Sequence, residues 1–402
     1  MSRIDSADIV IVGGAAIGSS IAYHIASDPA FTGRVVVIEK DPTYQFSASA
    51  LSAASIRQQY SSAINIRMSL YGIQFMREIG ERLNVNGDKP AIDLHEGGYL
   101  YLAASENAAR VLHENWELQR QEGADILLFT PEEAAKRYPW LSVSDLHAAT
   151  WGQTGEGWFD GWGLMQAFRK KARALGVTYI DGKVVGIEQA HGRVTAVTLA
   201  DGSRIACGAL VNAAGASGAR QLAEQAGIAI PVVSKKRCVF TFTCKADFNT
   251  FPMLIDASGC YARPEGHRTA DGQMFICGSA PAEENDPDTD DFDVDYALFE
   301  EHVWPTLATR VPAFEAIRPG RAWAGHYDMN LFDANAILGP VPQLPNFYLA
   351  NGFSGHGLQQ SPAVGRGVAE LLVHGRYLTL DLSEAGFERI AANKPLLEKN
   401  VI

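Results

Sequence analysis

A short β-branched run, Asp8-Ile9-Val10-Ile11-Val12, stops at Gly13-Gly14-Ala15-Ala16-Ile17-Gly18, and a helical stretch continues from Ile17 to Ser27. Arg34 leads into a second run, Val35-Val36-Val37-Ile38, which ends on Glu39. Continuous apolar runs of this length are the pattern of buried parallel strands. Strand, turn, helix and strand make a βαβ unit, whose crossover is expected to be right-handed. The turn has a specific physics. Gly13 allows a tight exit from the strand, the middle position lets backbone N–H groups approach a pyrophosphate, and Gly18 lets the helix pack close to the sheet. The helix start offers free N–H groups and a positive dipole end to phosphate. Ala15 stands where the middle glycine of such turns falls, and its methyl group reduces the closest approach. Glu39, at the end of the second strand, is placed to accept hydrogen bonds from a ribose. A glutamate there suits an unphosphorylated ribose, so FAD or NAD rather than NADP.

A chain of 402 residues is too long for one ordinary core, so two domains are expected, or three. The net charge of −12 argues against nucleic acid or an anionic membrane as the main partner. Cys207, Cys238, Cys244, Cys260 and Cys277 form no CxxC pair and have no histidine cluster beside them. They read as small buried apolar residues, and no metal site is expected. Residues 9 to 26 are mostly apolar, but Asp5 and Asp8 flank them with a single arginine, and glycines, serines and His24 interrupt them. No signal peptide is expected from this pattern. No other stretch is apolar enough to span a bilayer, and a cytoplasmic location is expected.

Residues 47 to 60 are small and polar up to Arg57, a run that permits close approach to a flat ligand and equally reads as a plain loop. Thr130-Pro131-Glu132-Glu133 opens a structural helix with a capping box. From 177 to 215 the pattern is hairpin-like: Val177 to Ile180, Val184 to Ile187, a turn at His191-Gly192-Arg193, Val194 to Leu199, and a strand near Ile205. Ala209 to Asn212 then forms an apolar strand entering Ala213-Ala214-Gly215, which returns the chain to the nucleotide sheet. Val239 to Thr243, Gly259 to Arg263 and Met274 to Cys277 suggest an antiparallel sheet with one face wet or lining a cavity. Glu283 to Asp295 is an acidic surface loop without metal-loop spacing.

Near the C-terminus the strand Phe347 to Ala350 runs into Asn351-Gly352-Phe353-Ser354-Gly355-His356-Gly357-Leu358-Gln359-Gln360, and a helix follows to about Leu372. This is a second site where backbone approaches a ligand. A helix start there stabilises the negative charge of a reduced flavin near its N1 and C2 oxygen. His356 reads either as a site residue or as a turn histidine.

Together these motifs, with Trp304-Pro305, Arg310 to Glu315 and Ala322-Trp323-Ala324-Gly325, resemble the D-amino-acid oxidase superfamily of FAD enzymes, in the branch of sarcosine oxidase, glycine oxidase and dimethylglycine dehydrogenase. The likeness is closer to a subgroup of FAD-dependent oxidoreductase-domain proteins that includes a mitochondrial flavoprotein of complex I assembly. It implies an α/β chain: a Rossmann-like FAD-binding domain and an α+β substrate domain built on an antiparallel sheet with helices. The expected division is 1–86, 151–229 and 323–402 for FAD, and 87–150 and 230–322 for substrate.

The resemblance also implies residue roles. Gly13, Gly14, Ala15, Ala16, Ile17 and Gly18 would hold the pyrophosphate, and Glu39 and Lys40 the adenosine end. Ser49 and Ser52, Ala53, Ala54, Ser55 and Ile56 would line the flavin, and the Val184 backbone would meet the adenine. Ala214 and Gly215 would lie along the cofactor. Gly355, His356, Gly357, Leu358 and Gln359 would hold the pyrimidine edge. Arg57 matches the carboxylate-binding arginine in an Arg-x-x-Tyr context, with Tyr261 and Tyr327 beside it. Arg263 shares the face of Tyr261 by strand alternation, as a site residue or a rim charge. Relatives that attach flavin covalently use a cysteine near the position of Gly325 or a histidine in the early Ser-rich loop, and both are missing here. FAD is therefore expected to be non-covalent. The oxygen-activating lysine of sarcosine oxidase is replaced near Phe275-Ile276, so oxygen or another electron acceptor is open.

The expected reaction is oxidation of the C–N bond of an amino acid or N-substituted amino acid by hydride transfer to flavin N5, giving an imine that hydrolyses. The alternatives are a subunit of a multi-component amine or opine oxidase and a non-catalytic assembly flavoprotein.

Overall fold

A computed structural model describes residues 4–398. Two eight-stranded sheets carry the fold. The first holds β1 (Ser6–Val12), β2 (Val35–Glu39), β8 (Thr178–Asp181), β9 (Val184–Ala190), β10 (Arg193–Leu199), β11 (Arg204–Asn212), β17 (Ile337–Val341) and β18 (Leu344–Asn351). Its strands run in the order β17-β18-β11-β1-β2-β8, with β10 and β9 branching from β11. The strands β8, β2, β1, β11 and β18 are parallel neighbours. The central ones are buried on both faces, which is why β1 and β2 are apolar without alternation.

Two features of this sheet differ from the sequence reading. The expected hairpin with its turn at His191-Gly192 forms between β9 and β10, but β8 is no part of it: β8 joins the open edge of β2 in parallel, with Glu39 beside Asp181. Two short β-prone runs carry no local signal for which edge each will join. The expected strands near Ile205 and Ala209 are one strand, β11. Its first half pairs antiparallel with β10, while parallel pairing with β1 runs along most of its length.

On one face of the sheet, α1 (Ala16–Ser27) packs against the helices Gly161–Ala174 and Gly357–His374. The approach is close: Ser20 Oγ donates to the Ser361 carbonyl at 2.7 Å, and a Cβ on Gly365 would sit 2.0 Å from that hydroxyl.

The second sheet has the order β16 (Ile317–Asn330), β12 (Val232–Cys244), β15 (Gly272–Gly278), β14 (Tyr261–Thr269), β13 (Met253–Ile255), β4 (Tyr99–Ala103), β6 (Ala148–Gly152) and β5 (Ile126–Phe129). All its pairs are antiparallel except β13 with β4. β16 stays paired with β12 from Ile317 to Asn330, so residues 323–330, Tyr327 among them, lie on this sheet. The expected boundary at residue 323 falls inside a strand, because the β12–β16 ladder does not stop there. Phe242, Phe275 and Phe314, all fully buried, anchor the core against this sheet. A small ribbon, β3 (Ser55–Ile56) with β7 (Gly157–Trp158), holds the segment just before Arg57.

Candidate active site

At the nucleotide turn, Gly13 has φ +101°, and a Cβ there would lie 2.2 Å from the Ala213 carbonyl oxygen. A Cβ on Gly18 would lie 1.8 Å from the Gly13 carbonyl oxygen. Neither position admits a side chain. Ala15 is different: it is the N-cap of α1 with φ −73°, so its methyl group costs no backbone strain. Ile17 is half-buried and Ala16 buried, and the Ala16 N–H donates to Ser49 Oγ at 3.3 Å. Ser49 thus touches the phosphate turn and does not line the cleft described below. Glu39 accepts from Gly14 N–H at 2.8 Å and Asp41 N–H at 2.9 Å, which fixes its carboxylate at the strand end. Lys40 donates to the Ser217 carbonyl at 3.2 Å. Val184 begins β9 with its side chain buried among Val10, Val36 and Ile38. Beyond β11, a Cβ on Gly215 would meet nothing within 4 Å, so the track beside Ala214 and Gly215 is open.

A cleft opens at the start of the helix Gly357–His374. Tyr99, Met253, Ile255, Tyr261 and Tyr327 of the antiparallel sheet form one wall. Ser52, Ala53, Ser55 and Arg57 face them, together with Gly355, His356, Leu358 and Gln359 at the start of the helix Gly357–His374. Small residues and backbone make the surface a flat ring would cover. A Cβ on Gly355 would fall 2.4 Å from the Tyr327 ring, so that approach requires glycine. Trp323 Nε1 donates to the Leu51 carbonyl at 2.9 Å, which pins the early loop to β16. Ala54 takes φ +49°, held by Ser52 Oγ accepting its N–H at 2.9 Å, and Ile56 is fully buried beneath. A Cβ on Gly357 would lie 3.1 Å from the Phe353 side chain. The glycine turn at α1, the fixed Glu39 carboxylate and this small-residue cleft fit the three parts of FAD.

Arg57 is 2 % exposed and heavily engaged. Its N–H donates to Gln359 Oε1 at 2.9 Å, and Ser69 Oγ donates to its carbonyl. Nη1 donates to the Gln59 carbonyl, Nη2 lies 3.0 Å from His356 Nε2, and the guanidinium sits 3.8 Å over the Tyr60 ring. Arginine has no acceptor, so His356 Nε2 must accept. Burial and the Arg57 charge both hold the His356 imidazole well below its ordinary pKa, which keeps it neutral. Burial raises the phenols of Tyr261 and Tyr327, which therefore stay protonated as donors.

Arg263 is neither a rim charge nor part of the lining. It is 4 % exposed, with Nη2 donating to the Ala53 carbonyl at 2.6 Å and Nη1 paired with Glu265. Strand alternation gave its face correctly but could not show these partners. Several site residues were not foreseen: Tyr99, Met253 and Ile255 on the wall, Tyr60 under the guanidinium, and the buried Glu156 behind it. Arg-x-x-Tyr was the available signal for Tyr60. Glu156, a lone acid between two glycines, had none.

Two sheets, an open phosphate turn and an arginine-floored cleft define a flavin-dependent oxidoreductase. The chain belongs to the FAD dependent oxidoreductase family, whose match spans residues 8–371, and it uses FAD. It is 42% identical over 431 residues to the FAD-dependent oxidoreductase domain-containing protein 1 of Xenopus laevis, covering 99% of this chain and 85% of that one. It is 24% identical to the mitochondrial sarcosine dehydrogenase of Mus musculus, over 92% of this chain and 40% of that one. The crystal structure of L-proline dehydrogenase from P. horikoshii superposes with a TM-score of 0.84 at 27% identity, covering 98% of this chain and all of that one. Glycine oxidase from Geobacillus kaustophilus shares the fold, with a TM-score of 0.79 at 24% identity over 95% of this chain and 98% of that one. Among the described residues no group of His, Cys, Asp and Glu is arranged to hold a metal, and no helix is long and apolar enough to cross a membrane.

Proposed function

We propose that this enzyme oxidises the C–N bond of an amino acid or N-substituted amino acid. The observation that carries this reading is Arg57, a buried guanidinium on the floor of the cleft, braced from behind and facing phenolic donors. An arginine fork in a water-poor site is suited to a carboxylate, because charge-assisted hydrogen bonds there are short and directional. Tyr261 and Tyr327 supply uncharged donors that fix the rest of the substrate. Bound FAD would supply the electron acceptor for this oxidation. The protein's contribution is to hold the donor C–H in line and exclude water, and positioning of this kind accounts for much of the rate. No carboxylate side chain lines the cleft among the described residues. The substrate amine is therefore expected to bind neutral, and its own ionisation governs the pH dependence. The imine product hydrolyses in water. The cleft lining has no cysteine, and neutral His356 is committed to Arg57, which supports non-covalent FAD. Relatives and structural neighbours named for sarcosine and L-proline support an amino-acid substrate.

The test is anaerobic addition of amino acids, N-methyl amino acids and opines to the holoprotein while following the visible flavin absorbance. At least one class should bleach it. If none does, with dithionite still reducing the bound flavin, the catalytic reading fails in favour of a non-catalytic flavoprotein.

A further inference from the structure

Glu156 lies in the turn between β6 and β7, with none of its surface exposed. It does not line the cleft, yet it is built into the back of it. Its carboxylate accepts from the Gln58 N–H, from the Gln59 N–H at 3.0 Å and from Gln59 Nε2 at 2.8 Å. The Gln59 carbonyl, held by this clamp, accepts from Arg57 Nη1. Thr150 Oγ1 donates to Gln59 Oε1 at 2.6 Å, and Gln59 Nε2 also reaches the Tyr99 carbonyl at 3.2 Å. The surroundings are shaped for the carboxylate. A Cβ on Gly152 would sit 1.9 Å from Glu156 Oε2, and Gly155, at φ +77°, accepts Gln58 Nε2 through its carbonyl at 3.1 Å.

We infer that Glu156 is a positioning residue for the anion site: it fixes the Gln58–Gln59 backbone, and that backbone returns the carbonyl that aims the Arg57 guanidinium into the cleft. The inference rests on the reading of Arg57 as the carboxylate-binding group. A buried carboxylate is costly unless well bonded, and an apolar residue would fill the same space more cheaply. Retaining the acid makes sense where one group must satisfy three converging donors. Burial pushes Glu156 up to about 7, opposed chiefly by the Gln58 N–H, with Gln59 and Arg57 also favouring the ionised form. The ionisable groups facing it are Arg57 and the phenols of Tyr60, Tyr99 and Tyr101, all of which stay in one protonation state near neutrality.

The experiment titrates FAD-loaded protein with acetate at about pH 8, where the acid is mostly ionised, and reads the perturbation of the flavin spectrum. Glu156→Gln keeps the shape but turns an amide N–H₂ toward a donor. Gly152→Ala leaves Glu156 in place and forces its carboxylate aside. Both should weaken acetate binding by about tenfold or more, since a charge-assisted bond to the clamp is lost, while FAD content and the spectrum of acetate-free protein stay as in the parent. Thr150→Val, which touches the same glutamine from its other end, should stay within about threefold. Acetate affinity within about threefold of the parent in Glu156→Gln or Gly152→Ala, with Arg57→Ala weakened, would overturn the positioning role. Parent-like affinity in Arg57→Ala would instead overturn the anion-site reading beneath it.

Discussion

Arg57 Nη2 and His356 Nε2 face each other at 3.0 Å, joining residues 299 positions apart in sequence at the floor of one cleft. The bond has a fixed direction, since only the imidazole can accept. His356 is held neutral by burial and by the arginine itself. His356→Leu should therefore raise the acetate Kd by about tenfold, the scale of one bond to a charged donor. It should leave the shape of the kcat/KM pH profile unchanged. A profile that loses a limb in this variant would mean that His356 titrates in the reaction.

Arg57 holds Gln59, His356 and the Tyr60 ring at once, and this requires a planar fork. Arg57→Ala should weaken carboxylate binding by about 2–3 kcal/mol or more. Arg57→Lys should recover less than half of that, because a single ammonium cannot replace the fork. Steady-state KM for the best substrate in the bleaching panel decides it, and full recovery by lysine would show that charge alone suffices.

Sequence and site meet unevenly. Gly13, Gly18 and Glu39 were legible because their roles are local: a tight turn, a close helix and a strand end. The Gly355-His356-Gly357 loop was legible for the same reason. Arg57 came from the family resemblance, through its Arg-x-x-Tyr context, and Tyr60 lies beneath its guanidinium. Partnerships across the fold were not legible. Nothing in the Gly155-Glu156-Gly157 string points to Gln59, and the alternation that placed Arg263 beside Tyr261 is silent about Glu265 and the Ala53 carbonyl. The edge chosen by β8 was hidden too, since pairing is decided by which strand lies open.

The phosphate turn separates two kinds of small residue. Gly18→Ala would push a methyl to 1.8 Å from the Gly13 carbonyl oxygen, so the helix must back away from the turn. It should abolish retention of FAD on dialysis. Ala15→Gly removes a methyl at an unstrained φ of −73° and should change FAD affinity by no more than about threefold. Flavin fluorescence released on dilution measures both. Equal loss in the two variants would show that the turn tolerates no change at all.

Asp328 gives a pH dependence with a definite sign. Its carboxylate accepts the Gly352 N–H at 2.8 Å beneath the flavin-side loop, yet burial dominates and pushes it from 3.8 up to about 6. A raised carboxyl favours the protonated native state. Its stabilising contribution is complete below about pH 4 and is lost as the pH rises through about 6. The loss approaches about 3 kcal/mol by neutrality. Asp328→Asn keeps an acceptor for Gly352 and cannot titrate. The parent should therefore lose stability relative to this variant between pH 4.5 and 7, read as a widening Tm gap between the two holoproteins. A gap that stays constant across that window would show that Asp328 is ionised throughout, its charge carried by the Gly352 and Phe353 N–H groups alone.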